Sequence, residues 1–263
     1  MLISFVEMVI VSTQAAQWFE TPLGRYMLSR EQNQFDQMVA DVFGFNALQI
    51  GMPEQDFLRA SRIPLRCRLG PVAPATLRAE YRHLPIATAS TDLILLPHVL
   101  EFDENPHQIL REVERALVPE GRTLICGFNP WSLWGVKKAR VENEFPWSGS
   151  FINLPRLKDW LSLLGFEIEA GKLCCYVPPV NQERWLRRFD FMEDAGDRWW
   201  PFAGAIYFLQ AVKRVPGMRV IIPTWRDRAA PKKKLAAVPQ RSVERSEAQP
   251  DDHRNFHRRR VQG

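Results

Sequence analysis

Glycine is scarce in this chain, with 14 residues in 263. There is no glycine-rich kinase loop and no G-x-S-x-G elbow, which excludes those two routes to phosphoryl and acyl transfer. The five histidines show no H-E-x-x-H spacing, so a zincin helix is excluded as well. Only four cysteines occur, Cys67, Cys126, Cys174 and Cys175, and none forms a C-x-x-C pair. The adjacent Cys174 and Cys175 suit neither a zinc knuckle nor an easy internal disulfide. The expectation is buried thiols in a reducing, cytoplasmic compartment, with no metal ligand set. No segment is long and apolar enough to span a bilayer. Met1 to Val11 is apolar, but it is short, carries Glu7 in its middle and lacks the basic flank of a signal peptide. It reads as an N-terminal extension or a start placed too early, and no membrane contact is expected.

Charge is present but unevenly placed. Between Arg226 and Gly263 there are 11 Lys and Arg against 5 Asp and Glu, whereas the rest of the chain is nearly neutral. The basic character belongs to a tail with Lys232-Lys233-Lys234 and Arg258-Arg259-Arg260 among proline, alanine and serine, a composition that predicts disorder. Such a tail offers two readings: a solubilising end, or a weak, salt-sensitive contact with nucleic acid. The remaining length and the 46% hydrophobic content suffice for one large α/β domain or two small ones.

The periodicity then orders the chain. Thr21-Pro22 resembles a helix start, and Leu23, Met27, Phe35, Met38, Val39 and Val42 continue at near-helical spacing, with Gly44 as a stop. Asn46 to Gly51 predicts a first strand, followed by a segment that could begin a short helix. Ile63 to Leu69 predicts a second strand. Leu93 to Leu96 is a continuous apolar run, as in a strand buried on both faces. Asn105-Pro106 then opens a helix with the apolar stripe Ile109, Leu110, Val113 and Leu117, closed by Pro119-Glu120-Gly121. Thr123 to Phe128 is again a strand. Strand, helix, strand at this spacing is a parallel crossover unit. Asn153 and Pro155 open another helix, Phe166 to Glu169 and Ala203 to Val212 are further strands, and Asn181 to Asp194 reads as a helical insertion.

The stretch from Leu84 to Pro130 carries a combination of motifs: Leu84-Pro85, Thr91-Asp92, the helix pattern from Leu110 to Pro119, and Gly121. Together these resemble the second half of a class I S-adenosylmethionine-dependent methyltransferase domain, of the methyltransferase type 11 kind. The likeness extends over roughly Phe45 to Arg214. The first-strand segment Phe43 to Gly51 and the Gly127 to Gly135 segment resemble those of an uncharacterised bacterial group within that superfamily. The resemblance implies a Rossmann-like fold: a seven-stranded, mostly parallel sheet with helices on both faces. It also implies a division into residues 1–44 (extension and helix), 45–215 (methyltransferase-like domain, insertion about 181–202) and 216–263 (tail).

The cofactor implied by the resemblance is S-adenosyl-L-methionine. The family's glycine-rich motif aligns with Gln49, Gly51, Pro53 and Gln55, where only Gly51 matches. Pro53 has no N–H to donate and a fixed φ. Gln49 could accept from the cofactor's ammonium group but brings no charge. The family's ribose-binding acid is missing at the end of the second strand, which reads Arg66-Cys67-Arg68-Leu69. Glu80 falls where the family has an acid for the adenine amino group, or is an ordinary solvated glutamate, and Tyr81 beside it could pack on the adenine. Pro97 and His98 end the fourth strand, where ligands bind in open α/β sheets. His98 is a candidate base for an acceptor proton, or else a strand cap.

Three further features stay open. Trp131, Trp134 and Trp147 could line an acceptor pocket or form a packed lid. Trp185, Trp199, Trp200 and Phe202 could stack nucleotides or close a core. Asn129-Pro130 reads as a turn. Two functions follow: a methyltransferase with an unidentified acceptor, or a binding or scaffold protein that keeps the fold with a degenerate cofactor site.

Overall fold

The computed structural model describes residues 2–141, 144–200 and 202–215. The basic tail and the expectation of its disorder lie outside the described residues. The chain starts with two helices, α1 (Leu2–Phe19) and α2 (Pro22–Ala40). Thr21 caps α2 by accepting from the Gly24 N–H at 3.1 Å, as the Thr-Pro signature predicts. There follow β1 (Asn46–Ile50), β2 (Leu65–Gly70), β3 (Leu77–Arg78) and β4 (Thr91–Pro97). Next come α3 (Pro106–Ala116), β5 (Leu117–Phe128), α4 (Leu133–Lys138), α5 (Leu154–Leu163) and β6 (Phe166–Cys174). The insertion forms α6 (Glu183–Arg188) and α7 (Phe191–Trp199), and β7 (Ile206–Lys213) is last.

The strands make one seven-stranded sheet in the order β3-β2-β1-β4-β5-β7-β6. All pairings are parallel except those of β7, which runs antiparallel to β5 and β6. Because side chains alternate along a strand, the apolar run of β4 serves two cores. Leu93 and Leu95 pack with Met27, Phe35 and Val39 of α2 and with Trp134 of α4. Ile94 and Leu96 pack with Ile109, Leu110 and Val113 of α3 and with Leu157 and Leu161 of α5. Helices therefore cover both faces, as a parallel sheet requires.

Asp92, the acid of the Thr-Asp motif, has a structural use. Its Oδ2 accepts from the backbone N–H groups of Phe45 and Asn46 at 2.8 and 2.9 Å, so β4 sets where β1 begins.

Four sequence expectations change. Residues 2–19 form a helix rather than a loose extension: Ala15 and Phe19 are buried, and the Trp18 ring lies 5.6 Å from that of Phe145 and 6.1 Å from that of Trp134. Its periodicity is masked because eight of the ten residues from Leu2 to Val11 are apolar. The segment after Gly51 is a chain of turns without a helix, held by the Gln49 side chain. β6 extends past Glu169 to Cys174 because β7 pairs with it along its length. β7 itself begins at Ile206 rather than Ala203, since the Ala205 N–H is spent on the Cys175 carbonyl.

Candidate functional site

The strand order reverses between β1 and β4, and a crevice opens beyond their carboxyl ends, where open α/β sheets place ligands. Gly51 turns the chain there at φ +83°, and a Cβ on it would stand 2.5 Å from Val99 Cγ2. Glycine is therefore needed both for the dihedral and for the contact. Gly51, Tyr81, Pro97 and His98 form one wall of the crevice, and α1 supplies the opposite wall through Met8, Val11, Ser12 and Ala15. Ser12 Oγ donates to Glu54 Oε1 at 3.1 Å, which ties α1 to the loop after β1.

Tyr81 is buried at this wall. Burial, reinforced by the charges of Glu54 and Asp103, pushes its phenol well above the ordinary tyrosine range, so it stays protonated. Glu80, its neighbour, is not part of the wall: its Oε2 lies 3.5 Å from His83 Nδ1, and the carboxylate belongs to a local loop pair.

Gln49 has a different use from the one its motif position suggests. Its side chain is fully buried. Nε2 donates to the carbonyls of Gly51, Met52 and Gln55 at 3.1, 3.0 and 2.8 Å, and Oε1 accepts from the Phe57 N–H at 3.1 Å. The oxygen expected to meet an ammonium group is thus spent on the protein's own loop. Pro53 is likewise committed: a Cβ at Gly70 would stand 2.7 Å from Pro53 Cγ, so the proline ring covers the end of β2. No carboxylate replaces the family's ribose acid there.

His98 sits at the end of β4 with φ +50°, a left-handed conformation that a non-glycine residue adopts at a cost. Its Nε2 lies 2.6 Å from Glu31 Oε1 and its Nδ1 lies 3.5 Å from Glu101 Oε1. Glu101 Oε1 also accepts from the Phe128 N–H at 2.7 Å. Burial opposes a charge on the imidazole, but its neighbours Cys126 and Glu31 outweigh burial and lift His98 well above its usual 6.5. Burial raises Cys126, which favours its thiol form. Both ring nitrogens face carboxylates, and neither points freely at an acceptor.

Sequence reasoning overlooked Glu31. The signal was available: Met27, Glu31 and Phe35 are spaced four apart, so the carboxylate interrupts a buried helical stripe. Of the tryptophans considered for an acceptor pocket, Trp134 and Trp147 are buried, and Trp134 Nε1 donates to the Val177 carbonyl at 3.0 Å. Trp131 is 76% exposed. The second cluster closes no core, since Trp185, Trp199, Trp200 and Phe202 are all exposed.

The walls of the crevice fit a nucleoside in kind: a glycine turn, a buried aromatic ring and an apolar floor. The room does not fit it with α1 in place. With α1 seated, the crevice has room for only a few waters.

Residues 60–125 match a family model described as a methyltransferase domain. The chain is 32% identical over 155 residues to the uncharacterized protein YafS of Escherichia coli (strain K12), covering 57% of this chain. The chain spans 65% of the length of that relative. Among solved structures, it is similar to a methyltransferase from Thermotoga maritima, described as a possible histamine N-methyltransferase, with a TM-score of 0.59 at 16% identity over 79% of this chain and 100% of that one. It is also similar to an S-adenosylmethionine-dependent methyltransferase from Archaeoglobus fulgidus, with a TM-score of 0.52 at 15% identity over 71% and 94% of the two chains. Sheet order, the antiparallel last strand and the two solved structures agree on the fold: it is the Rossmann-like α/β fold of class I methyltransferases, and the methyltransferase-domain match falls within it.

Proposed function

We propose that this protein transfers a methyl group from S-adenosyl-L-methionine to an unidentified acceptor, and that the cofactor enters when α1 leaves the crevice. The observation that carries the proposal is the crevice itself, with Gly51, Tyr81, Pro97 and His98 at the switch point of the sheet. The bound cofactor supplies an electrophilic methyl carbon on sulfur, a reaction that asks mainly for alignment. Gly51 provides close backbone approach and Tyr81 a neutral aromatic wall, whereas Met8, Val11 and Ala15 fill the crevice when α1 is seated. Of the residues named by the sequence, Gly51, Tyr81, Pro97 and His98 are assigned to the cofactor wall. Gln49 and Glu80 are assigned to shaping the loops behind it. His98 is assigned as a wall and positioning residue, because its Nε2 is bonded to Glu31 and its Nδ1 is turned inward toward Glu101.

Gln49 and Pro53 favour a second reading, a binding or scaffold protein that no longer holds the cofactor. The reduced cysteines suit a cytoplasmic protein. Among the described residues no helix is long and apolar enough to cross a membrane. The tail from Arg226 is assigned a weak, salt-sensitive contact with nucleic acid, which deletion after Arg226 would abolish.

Calorimetry of the full chain with S-adenosylmethionine and S-adenosylhomocysteine tests the main reading, with Ala15→Arg as the comparison because Ala15 is buried where α1 meets the crevice. The expectation is binding in both, at least tenfold tighter in the variant. No heat and no thermal shift in either protein at millimolar ligand overturns the reading in favour of the binding protein. Tighter binding by the unmodified chain overturns the withdrawal of α1 and makes that helix a cap on the bound cofactor.

A further inference from the structure

Beneath the crevice, three elements bring potential metal ligands together. Glu31 comes from α2, His98 from the end of β4 and Cys126 from β5. Their donor atoms all lie within 4.8 Å of one another and all three residues are buried. We propose that Glu31, His98 and Cys126 form a binding site for a thiophilic divalent cation such as zinc, a structural site that shares only His98 with the crevice wall.

The spacing supports it. With Zn–S near 2.3 Å and Zn–N and Zn–O near 2.0–2.1 Å, tetrahedral donors stand roughly 3.3–3.6 Å apart. Cys126 Sγ is 3.4 Å from His98 Nε2 and 3.8 Å from Glu31 Oε1. The third distance, 2.6 Å between His98 Nε2 and Glu31 Oε1, is that of a hydrogen bond. A metal replaces that bond, and the carboxylate has to shift by about 0.7 Å to reach tetrahedral spacing. Thiolate, imidazole and carboxylate are a donor set that zinc accepts.

Two independent features point the same way. Glu31 Oε2 is buried without a partner, although a buried carboxylate oxygen ordinarily has one. Neither Glu31 nor Glu101 pairs with a lysine or arginine among the described residues; the cationic partner of each is His98. The second feature is the far side of the imidazole. His98 Nδ1 faces Glu101 Oε1 at 3.5 Å. Metal-bound histidines commonly give their other N–H to a carboxylate, which fixes the tautomer and the ring. Here Nδ1 is buried without a hydrogen-bond partner and lies 3.5 Å from Glu101, whose Oε1 is anchored by the Phe128 N–H, so a small turn of the ring on metal binding would make that bond. His98 also lines the crevice, so a fourth ligand would be a water reaching the ion from that side.

The site escapes sequence inspection because its ligands are separated by 67 and 28 residues. In the fold it pins the cover helix α2 to the strand ends that carry the crevice wall.

The test uses the full chain, stripped with chelator and titrated with zinc against a competing indicator, then with cobalt as a spectroscopic stand-in. One zinc per chain is expected, and the cobalt form should show a thiolate-to-metal charge-transfer band. Cys126→Ser should remove that band, whereas Cys67→Ser should keep it. Glu101→Gln keeps all three ligands and should weaken zinc about 10–100-fold through the lost support of His98. Absence of stoichiometric zinc at micromolar concentrations overturns the proposal. So does a thiolate band that survives in Cys126→Ser, which would place the ion on another cysteine. If Cys126→Ser does not fold, Glu101→Gln decides: zinc affinity unchanged from that of the unmodified chain overturns the site. None of these readouts involves S-adenosylmethionine, so they stand apart from the methyl-transfer reading.

Discussion

Replacing Gln49 separates its two possible uses, anchoring a loop or meeting a ligand. In Gln49→Leu the shape is kept and the amide is lost. The Gly51 carbonyl and the Phe57 N–H, whose bonds to Gln49 are fully buried, then have no partner. At about 1–3 kcal/mol for each unsatisfied buried group, the cost is about 4 kcal/mol, with the carbonyls of Met52 and Gln55 rehydrated at the edge. For a domain of this size that lowers Tm by roughly 8–16 °C. Gln49→Glu is the sharper variant, because it installs the acid found in the family motif. It keeps an acceptor for the Phe57 N–H but turns an anion towards three carbonyls, so it should destabilise at least as much and gain no cofactor affinity. Thermal unfolding by circular dichroism and calorimetry with S-adenosylmethionine read the two quantities. A Gln49→Glu protein of unchanged Tm that binds the cofactor more tightly would refute the assignment of this side chain to the loop.

Three more outcomes are expected. Burial raises the phenols of Tyr26, Tyr81 and Tyr207 above the ordinary range near 10, so absorbance titration should leave these three of the four tyrosines un-ionised at about pH 11; ionisation of all four there, with the fold intact, contradicts their burial. Glu112, hydrogen-bonded to Arg115 and accepting the Leu84 N–H, is held below its usual 4.5. Its contribution is present above that value and lost as pH falls through the depressed one, so Glu112→Gln should flatten the loss of stability below about pH 4.5; an unchanged acid limb of the denaturation curve counts against it. Asp92→Ala removes a charged acceptor from two backbone N–H groups and should cost about 2–4 kcal/mol in urea unfolding; a loss under 0.5 kcal/mol would show that β4 does not anchor the start of β1.

The parts legible in the sequence are those whose signal is local. The β4 run announced burial on both faces, and Thr21-Pro22 announced α2, because alternation and capping are properties of neighbouring residues. α1 was not legible, since its mostly apolar first half, Leu2 to Val11, has no clear periodicity and its partner is a crevice made by residues far along the chain. Gln49 was misleading for a similar reason. Its motif position suggested a ligand, while the donors and acceptors it satisfies arise from turns at residues 51–57 that exist only once the chain is folded. Glu31 was half legible, visible as a charge in an apolar stripe but without its partners His98 and Cys126.

The position of α1 sets what cofactor affinity should be observed. Seating the helix buries Met8 at the crevice and Val11 in part. At about 1.5–3 kcal/mol for a fully buried apolar side chain, opening costs on the order of 3 kcal/mol. The apparent affinity for anything that needs the open crevice falls by the open fraction, about a hundredfold for that cost. A micromolar intrinsic site then reads as roughly a hundred-micromolar one, without any defect in its walls. Weak binding by the intact chain therefore does not separate an active enzyme from a degenerate one. The separation lies in the response to Ala15→Arg, because unseating α1 restores affinity only where the wall behind it can still hold the cofactor.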